Sequence, residues 1–381
     1  RNKMRKRKPR IYDDEIYTDF GEQPSPLELQ IGYALMPLVD EHNDSPLLNE
    51  IRYLRNEIDA EYGLPLPLVR IRDNLCLEPC EYRILLHGTD VGGFNDLRLG
   101  HVLCLDTGSV TGELSGEKSK EPAFGMDGIL VTEDMADEAK RLGYAVVDPS
   151  RIIKVHLSEI IKKNITKFLN QCMINTLINK VRDTNPDVID DVFFMHHYST
   201  ADFKTILNWL LEEGVSIRDM NSILEAMADN YDYKMKPVEF LDKVRDKLAW
   251  QFVPKLADKD KVIHVIRVSK SLSEALSERI YYPVSKTELP YYALEPSETK
   301  VFENEISEKA NRMTDKGYEP VFLIVSSLRT ALSNTVRTRL GNWTFISDKE
   351  MLSVNKDYSV AVEEELEVDE IKVNESCPVC D

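Results

Sequence analysis

The stretch Leu27-Glu28-Leu29-Gln30-Ile31-Gly32-Tyr33-Ala34-Leu35-Met36 is apolar enough for a buried strand, and the elements after it set the fold class. Ser45 stands where a helix needs an N-cap, and Pro46 where a missing N–H costs nothing. Leu47, Leu48, Ile51, Leu54 and Ile58 then repeat at helical spacing. Gly63, free to take left-handed backbone, and Pro65 stop the helix. Leu68–Asp73 alternates as a strand, and Tyr82–His87 supplies another. Strand, helix and strand in this order make a βαβ unit.

Toward the C-terminus, His101–Leu105 and Gly128–Thr132 read as strands, Asp134–Leu142 as a helix ended by Gly143, and Tyr144–Val147 as a strand. Asp148 and Pro149 open a long helix with Ile153, Leu157, Ile160 and Ile161 on one face. Residues 170–250 are strongly helical, and Ser199-x-x-Asp202 and Ser216-x-x-Asp219 both match the capping box. A helix-turn-helix DNA reader is one meaning of that pair; the surrounding acidity favours plain helix packing. From Val262 strands and helices alternate again: Val262–Val268, a helix after Ser271, a helix over Pro296–Thr314, Val321–Val325, a helix from Leu328, and Trp343–Ser347. That pattern predicts a second α/β unit with a largely parallel sheet. An insert between Pro283 and Pro296 carries Tyr291 and Tyr292, and Glu363–Glu370 reads as a solvated acidic tail.

The expected class is α/β (α+β mixed), with two α/β units flanking an all-helical subdomain and a small subdomain inserted in the first. The boundaries fall at 1–26 for a linker, 27–100 plus 149–169 for the first α/β subdomain, and 101–148 for the insert. Residues 170–250 form the helical subdomain, 251–360 the last α/β subdomain and 361–381 the tail.

A length of 381 residues exceeds one core, and 42% hydrophobic with 30% charged residues is ordinary for a folded chain. No run approaches the roughly 18 apolar residues of a membrane helix. Residues 1–10 hold seven bases and no acid, leaving 41 bases against 66 acids, a net −25, in the other 371 residues. A body so acidic repels phosphate, which argues against nucleic acid as the main partner. The basic start has three meanings: a nucleic-acid arm, a membrane-surface patch, or the positive-inside flank of a preceding membrane helix. The flank is preferred because the chain begins at Arg1. Tyr12, Tyr17 and Phe20 sit in this tether as apolar anchors with no core of their own.

Asp106-Thr107-Gly108-Ser109 has the form of an aspartic-protease loop, but that chemistry needs two carboxylates sharing a proton, and no second such loop occurs. Gly112-x3-Gly116-Glu117-Lys118-Ser119 misses the phosphate-loop spacing and reads as a polar surface loop. Gly88-x3-Gly92-Gly93 lacks the dinucleotide spacing and the helix that should come next. Six cysteines are too sparse for a disulfide framework, and the terminal pair Cys377 and Cys380 has no adjoining second pair to complete a zinc site. The seven histidines are scattered. The residues alone therefore imply no enzyme, cofactor or metal.

Six segments in register add a family resemblance. They are Leu27–Asp40, Ile71-Arg72-Asp73-Asn74, Tyr82-Arg83-Ile84-Leu85, Glu121-Pro122-Ala123-Phe124-Gly125, Gly143–Asp148 and Val215–Met220. In this order they resemble the cytosolic half of the FHIPEP family, the large export-gate subunits of bacterial type III secretion. The match covers about residues 27–350 and is dense to 250. The Pro-Ala-Phe-Gly and Ile-Arg-Asp-Asn forms look like the flagellar branch, with the corresponding virulence-injectisome subunit as the alternative.

The resemblance implies a membrane half before Arg1, so that these residues would be the cytoplasmic domain of a multi-pass inner-membrane protein. It implies a nine-membered ring that receives export chaperones with filament-type cargo and works beside other export components, including the ATPase complex. It also implies a docking dimple between the first two subdomains. The dimple's phenylalanine falls on Phe124, and its acid on Glu121, where relatives often have Asp and where a rim hydrogen bond or charge is expected. Its wall falls on Leu105, Asp106 and Thr107, where relatives often read apolar-Asn-Pro. The polar position on the long helix falls on Val155, often Thr in relatives. The tether aromatic that packs on the neighbouring subunit falls on Tyr17 or Phe20. Plain core packing is the alternative for Phe124.

Overall fold

The computed structural model describes residues 24–232 and 236–374, together with the backbone of Ile11–Tyr12. The expected βαβ unit is present near the start. In chain order come β1 (Ile11–Tyr12), β2 (Leu27–Ile31), α1 (Pro46–Tyr62), β3 (Arg70–Asp73), β4 (Tyr82–Leu86) and β5 (Thr89–Phe94). β2 and β3 pair in parallel from Glu28–Arg70 to Ile31–Asp73, while β4 and β5 complete the sheet antiparallel, in the order β1-β3-β2-β4-β5. The apolar stripe of α1 is buried at Leu47, Ile51, Leu54 and Ile58.

Three details depart from the sequence reading. The first strand ends at Ile31, and Tyr33–Val39 winds as a 3₁₀ helix. Gly32 makes that turn where a Cβ would lie 2.2 Å from the Glu78 carbonyl oxygen. Ser45 takes left-handed backbone (φ 41°) and makes no side-chain cap. β5 was not expected, because its Gly92 and Gly93 are poor strand formers. The close seating of α3 (Pro149–Lys163) explains Gly92, where a Cβ would stand 3.0 Å from Ile160 Cδ1.

A second sheet comes next, built from β6 (His101–Leu105), β7 (Glu117–Lys120), β8 (Asp127–Thr132) and β9 (Ala145–Val147), with α2 (Ala136–Arg141). Its order is β7-β8-β6-β9, all antiparallel, over a core of Val102, Cys104, Leu114, Val131 and Ala139. Part of the polar loop expected at Gly112–Ser119 is thus an edge strand, β7. α3 starts on the Asp148 carboxylate, which accepts from the Arg151 N–H at 3.0 Å. Residues 1–168 make one compact unit and 169–381 a second.

The second unit begins with α4 (Gln171–Thr184), α5 (Pro186–Asp190), α6 (Thr200–Glu212), α7 (Met220–Asp229) and α8 (Pro237–Phe252). The Ser199–Asp202 capping box forms, with both bonds at 3.0 Å. The second box does not. Asp219 caps α7 instead, accepting from the Ser222 N–H at 3.1 Å, and Ser216 Oγ accepts from the Arg218 N–H in the turn before it.

After α8 come β10 (Val262–Val268), α9 (Lys270–Ser277), β11 (Ile280–Tyr281), β12 (Tyr291–Tyr292), α10 (Pro296–Asp315), β13 (Val321–Ile324), α11 (Ser326–Arg337), β14 (Thr344–Ser347), α12 (Asp348–Leu352) and β15 (Ser359–Leu366). The main sheet runs β14-β13-β10-β15, every pair parallel. β15 corrects the reading of 361–381 as a solvated tail: Leu366, Val368 and Ile371 are buried in the core. Its acids have partners. Glu363 meets His264 at 2.7 Å, Glu364 meets Lys316 at 3.0 Å and Glu365 meets Arg267 at 2.8 Å.

The helices and sheet of this unit share a buried ion network. Arg329 grips Glu213 with two nitrogens at 2.6 and 3.2 Å, and Arg245 grips Glu350 at 2.9 and 3.1 Å. Both guanidiniums also donate to the Phe345 carbonyl, at 3.2 Å from Arg245 and 3.4 Å from Arg329. The four side chains are each 7% exposed or less.

Candidate docking site

Residues 121–126 join β7 to β8 and fold around one carboxylate. The Glu121 N–H donates to the Met126 carbonyl at 2.8 Å, and the Gly125 N–H donates to the Glu121 carbonyl at 2.9 Å. Gly125 has φ +70°, a left-handed turn that suits glycine. Pro122 offers no N–H, so the next two are left to the side chain of Glu121. Its Oε1 accepts from Ala123 at 2.6 Å and its Oε2 from Phe124 at 2.8 Å. Hydrogen bonds to an ionised acceptor are the short, strong kind.

The consequence is an aromatic ring turned outward. Phe124 is 62% exposed and Met126 39%, while Glu121 is only 4% exposed. Core packing is therefore not what Phe124 does in this chain. Glu121 also differs from the expected rim residue: both of its oxygens are engaged beneath the loop.

The wall residues lie beside the loop's exit, because Leu105 at the end of β6 pairs with Gly128 on β8. Leu105 is buried; Asp106 and Thr107 are exposed, and Asp106 Oδ1 accepts from the Gly108 N–H at 2.9 Å in a local turn. Val155 is 37% exposed on α3. The link from α3 to the loop runs along the helix: Ile152 and Pro149 line a seam with Lys120 and Pro122. Tyr17, Phe20, Cys377 and Cys380 lie outside the described residues.

The FHIPEP family model matches residues 2–356. The chain belongs to the FHIPEP family. Among its relatives, the flagellar biosynthesis protein FlhA of Treponema pallidum is 33% identical over 355 residues, covering 92% of this chain and 48% of the relative. This FHIPEP chain spans about half the length of the curated relatives it matches. Its fold is that of the Chlamydia pneumoniae CdsV protein, with a TM-score of 0.77 at 20% identity, covering 93% of this chain and 100% of that one. CdsV solved in complex with CdsO gives 0.76 at 19%, covering 92% and 99%. The nonameric EPEC SctV-C gives 0.71 at 17%, covering 91% and 100%.

Two buried residues of this FHIPEP chain went unrecognised in the sequence. Tyr82 and His156 meet in the interior, with the tyrosine oxygen 2.8 Å from Nδ1. A lone tyrosine and a lone histidine in separate elements carry no joint pattern. The only hint was that His156 comes directly after Val155 and falls on the helix face of Ile152 and Ile160.

The clamp makes a checkable expectation. A hydrogen bond to a charged group contributes about 1.5–3 kcal/mol, so losing both makes Glu121→Ala cost the loop on the order of 3 kcal/mol. Amide exchange at Ala123 and Phe124 should accelerate about a hundredfold, with amides of β6 and β8 nearly unchanged. Unaltered exchange at those two amides would show that the carboxylate does not hold the loop.

Proposed function

We propose that the chain is the cytosolic docking platform of a flagellar type III export gate. Copies assemble as a ring beneath the membrane, anchored by a membrane half that precedes Arg1. The ring receives export chaperones with bound filament-type cargo and works beside the other export components, the ATPase complex included. Phe124, Met126 and Val155 form the contact surface, with Leu105, Asp106 and Thr107 as its wall and Glu121 as the clamp beneath. The tether, through Tyr17 or Phe20, contacts the neighbouring copy.

One observation carries this reading: a large aromatic side chain held in solvent on a loop pinned by a buried carboxylate. Binding energy concentrates in such pre-set aromatic anchors, because little ordering remains to be done on association. Family membership supplies the context, and solved relatives of the fold are described as nonamers. Curated relatives at 29–33% identity carry flagellar names, which ranks the flagellar reading ahead of a virulence-injectisome gate.

The test is capture on the immobilised chain of purified flagellar export chaperones, with and without their filament-type cargo, alongside sedimentation of the free chain across concentration. Retention of chaperone–cargo complexes and concentration-dependent association are expected. A chain that retains none of them at tens of micromolar, a Kd limit of about −6 kcal/mol, is not a docking platform.

A further inference from the structure

His264 stands on β10 where the last strand joins the second unit's main sheet. Its side chain is 13% exposed, and both ring nitrogens face carboxylates: Nε2 lies 2.7 Å from Asp258 Oδ2, and Nδ1 lies 2.7 Å from Glu363 Oε1. An ionised carboxylate only accepts, so both nitrogens must donate, and only the imidazolium carries two N–H groups. Each carboxylate is aimed by its own backbone. Asp258 sits in the turn before β10, where Oδ1 accepts from the Asp260 and Val262 N–H groups at 2.8 and 3.0 Å and leaves Oδ2 for the ring. Glu363 is the bulge of β15: Val265 pairs with Val362 and Ile266 with Glu364, so no residue of β10 stands opposite it. A bulge re-aims a side chain in just this way. Tyr318 covers one face of the imidazole, with ring centroids 3.9 Å and planes 12° apart.

We propose that His264 is a proton-operated latch on β15: as the imidazolium it ties the turn before β10 to the bulge, and loss of its proton loosens the first half of the strand from the sheet. Neutral imidazole has a single N–H. One of the two carboxylates must then face a nitrogen that cannot donate, and the bulge, already a break in the ladder, is where pairing gives way. β15 is the outer strand in the order β14-β13-β10-β15, and Val360 and Val362 on its first half are 37% and 44% exposed. Loosening it uncovers the edge of β10, and an uncovered edge is a template for another strand. The latch therefore governs when that edge is closed. It lies in the second unit and does not depend on the docking surface of the first.

The surrounding charges leave the two carboxylates in command. Lys309 and Arg312 of α10, and Lys316 just after it, turn to Glu364, at 3.6, 3.8 and 3.0 Å. Lys316 also donates to the Glu363 carbonyl at 3.1 Å. On β10 itself, Arg267 is taken by Glu365 at 2.8 Å. Lys261 lies over the Tyr358 ring, 5.8 Å from its centroid. Burial disfavours the charged imidazole, but the hydrogen bonds and charges of Asp258 and Glu363 outweigh it and raise His264 above its ordinary 6.5. A proton held more tightly by the folded chain contributes stability that is complete below 6.5 and is lost as pH rises through the raised value.

The test is NMR on the whole chain, following the His264 ring signals and amide-exchange protection across pH, with protection corrected for intrinsic base catalysis. The ring should titrate with a midpoint above 6.5. Protection at residues 360–364 should fall by up to about tenfold per pH unit from 6.5 to that midpoint and level off above it, while β13 holds steady. In His264→Gln, which keeps polarity but cannot take the charge, protection of β15 should be flat over the same range. Asp258→Asn, a milder change that keeps the oxygen for the turn, should bring the midpoint down and shrink the fall. A wild-type midpoint at or below 6.5 overturns the proposal, as does protection of β15 that ignores the midpoint. An equal fall in β13 would mean that the proton acts on the whole unit, and a fall surviving in His264→Gln would assign it to another group; either result also overturns the latch.

Discussion

Phe124→Ala should weaken chaperone–cargo binding about thirtyfold and leave the unfolding of residues 1–168 nearly unchanged. Truncating an aromatic anchor costs on the order of 2 kcal/mol, which is that factor in affinity. The stability half of the expectation comes from exposure. A side chain 62% exposed in the free chain has little burial to lose, so removing it opens no cavity. Thermal unfolding and chaperone affinity measured on the same variant decide the matter. Affinity unchanged within twofold would take Phe124 out of the site. A melting point lower by many degrees would mean that the ring packs on its own chain.

Arg329→Met should severely destabilise the second unit. Arg329 is 1% exposed, and its loss leaves Glu213 and Glu350 buried with half of their compensation gone. Breaking a buried ion pair from one side costs about 3–5 kcal/mol. At about 2–4 °C per kcal/mol for a unit of this size, the melting point should fall by about 6–20 °C. Acid adds a second reading. Burial raises the Glu213 carboxyl, but the guanidiniums of Arg329 and Arg245 overcome this and hold it at about 2, against an ordinary 4.5. A carboxyl lowered in the folded state contributes stability above pH 4.5 that is lost as pH falls toward 2. The wild-type unit should weaken through that window, and Arg329→Met should show a shallower dependence. A melting shift under about 2 °C would mean that water or a rearranged partner replaces the arginine.

Sequence legibility followed local chemistry. The βαβ unit at Leu27 could be read because its punctuation is local: Pro46 at a helix start, a 3–4 stripe in α1, Gly63 at the stop. β5 and β15 could not. Gly92 of β5 serves α3, a neighbour about 60 residues away in the chain. β15 looks like a solvated charge run because its acids answer Lys309, Arg312, Lys316, Arg267 and His264, all distant in sequence. At the candidate site, family resemblance located Phe124 and Glu121, yet it could not say which of them faces out. That depends on Pro122 withholding an N–H while the next two residues offer theirs, a geometry visible only once the loop is closed. Tyr82 and His156 had no shared signal at all.

The position of β15 also bears on how the chain is made. Glu363 of this last strand meets His264, its partner on β10, across 99 residues of sequence. β10 is the first strand of the second unit's main sheet to be synthesised and lies in its middle, but one side stays open until the final strand appears. Val368 and Ile371 arrive later still. On a ribosome, the helices α4–α8 can form from near neighbours while β10 waits with an unpaired edge, the condition in which strands find wrong partners. The run of glutamates on β15 then has a kinetic use. Charge keeps the incoming strand soluble and discourages pairing between the edges of two unfinished chains, and the bases waiting on α10 and β10 guide it into register.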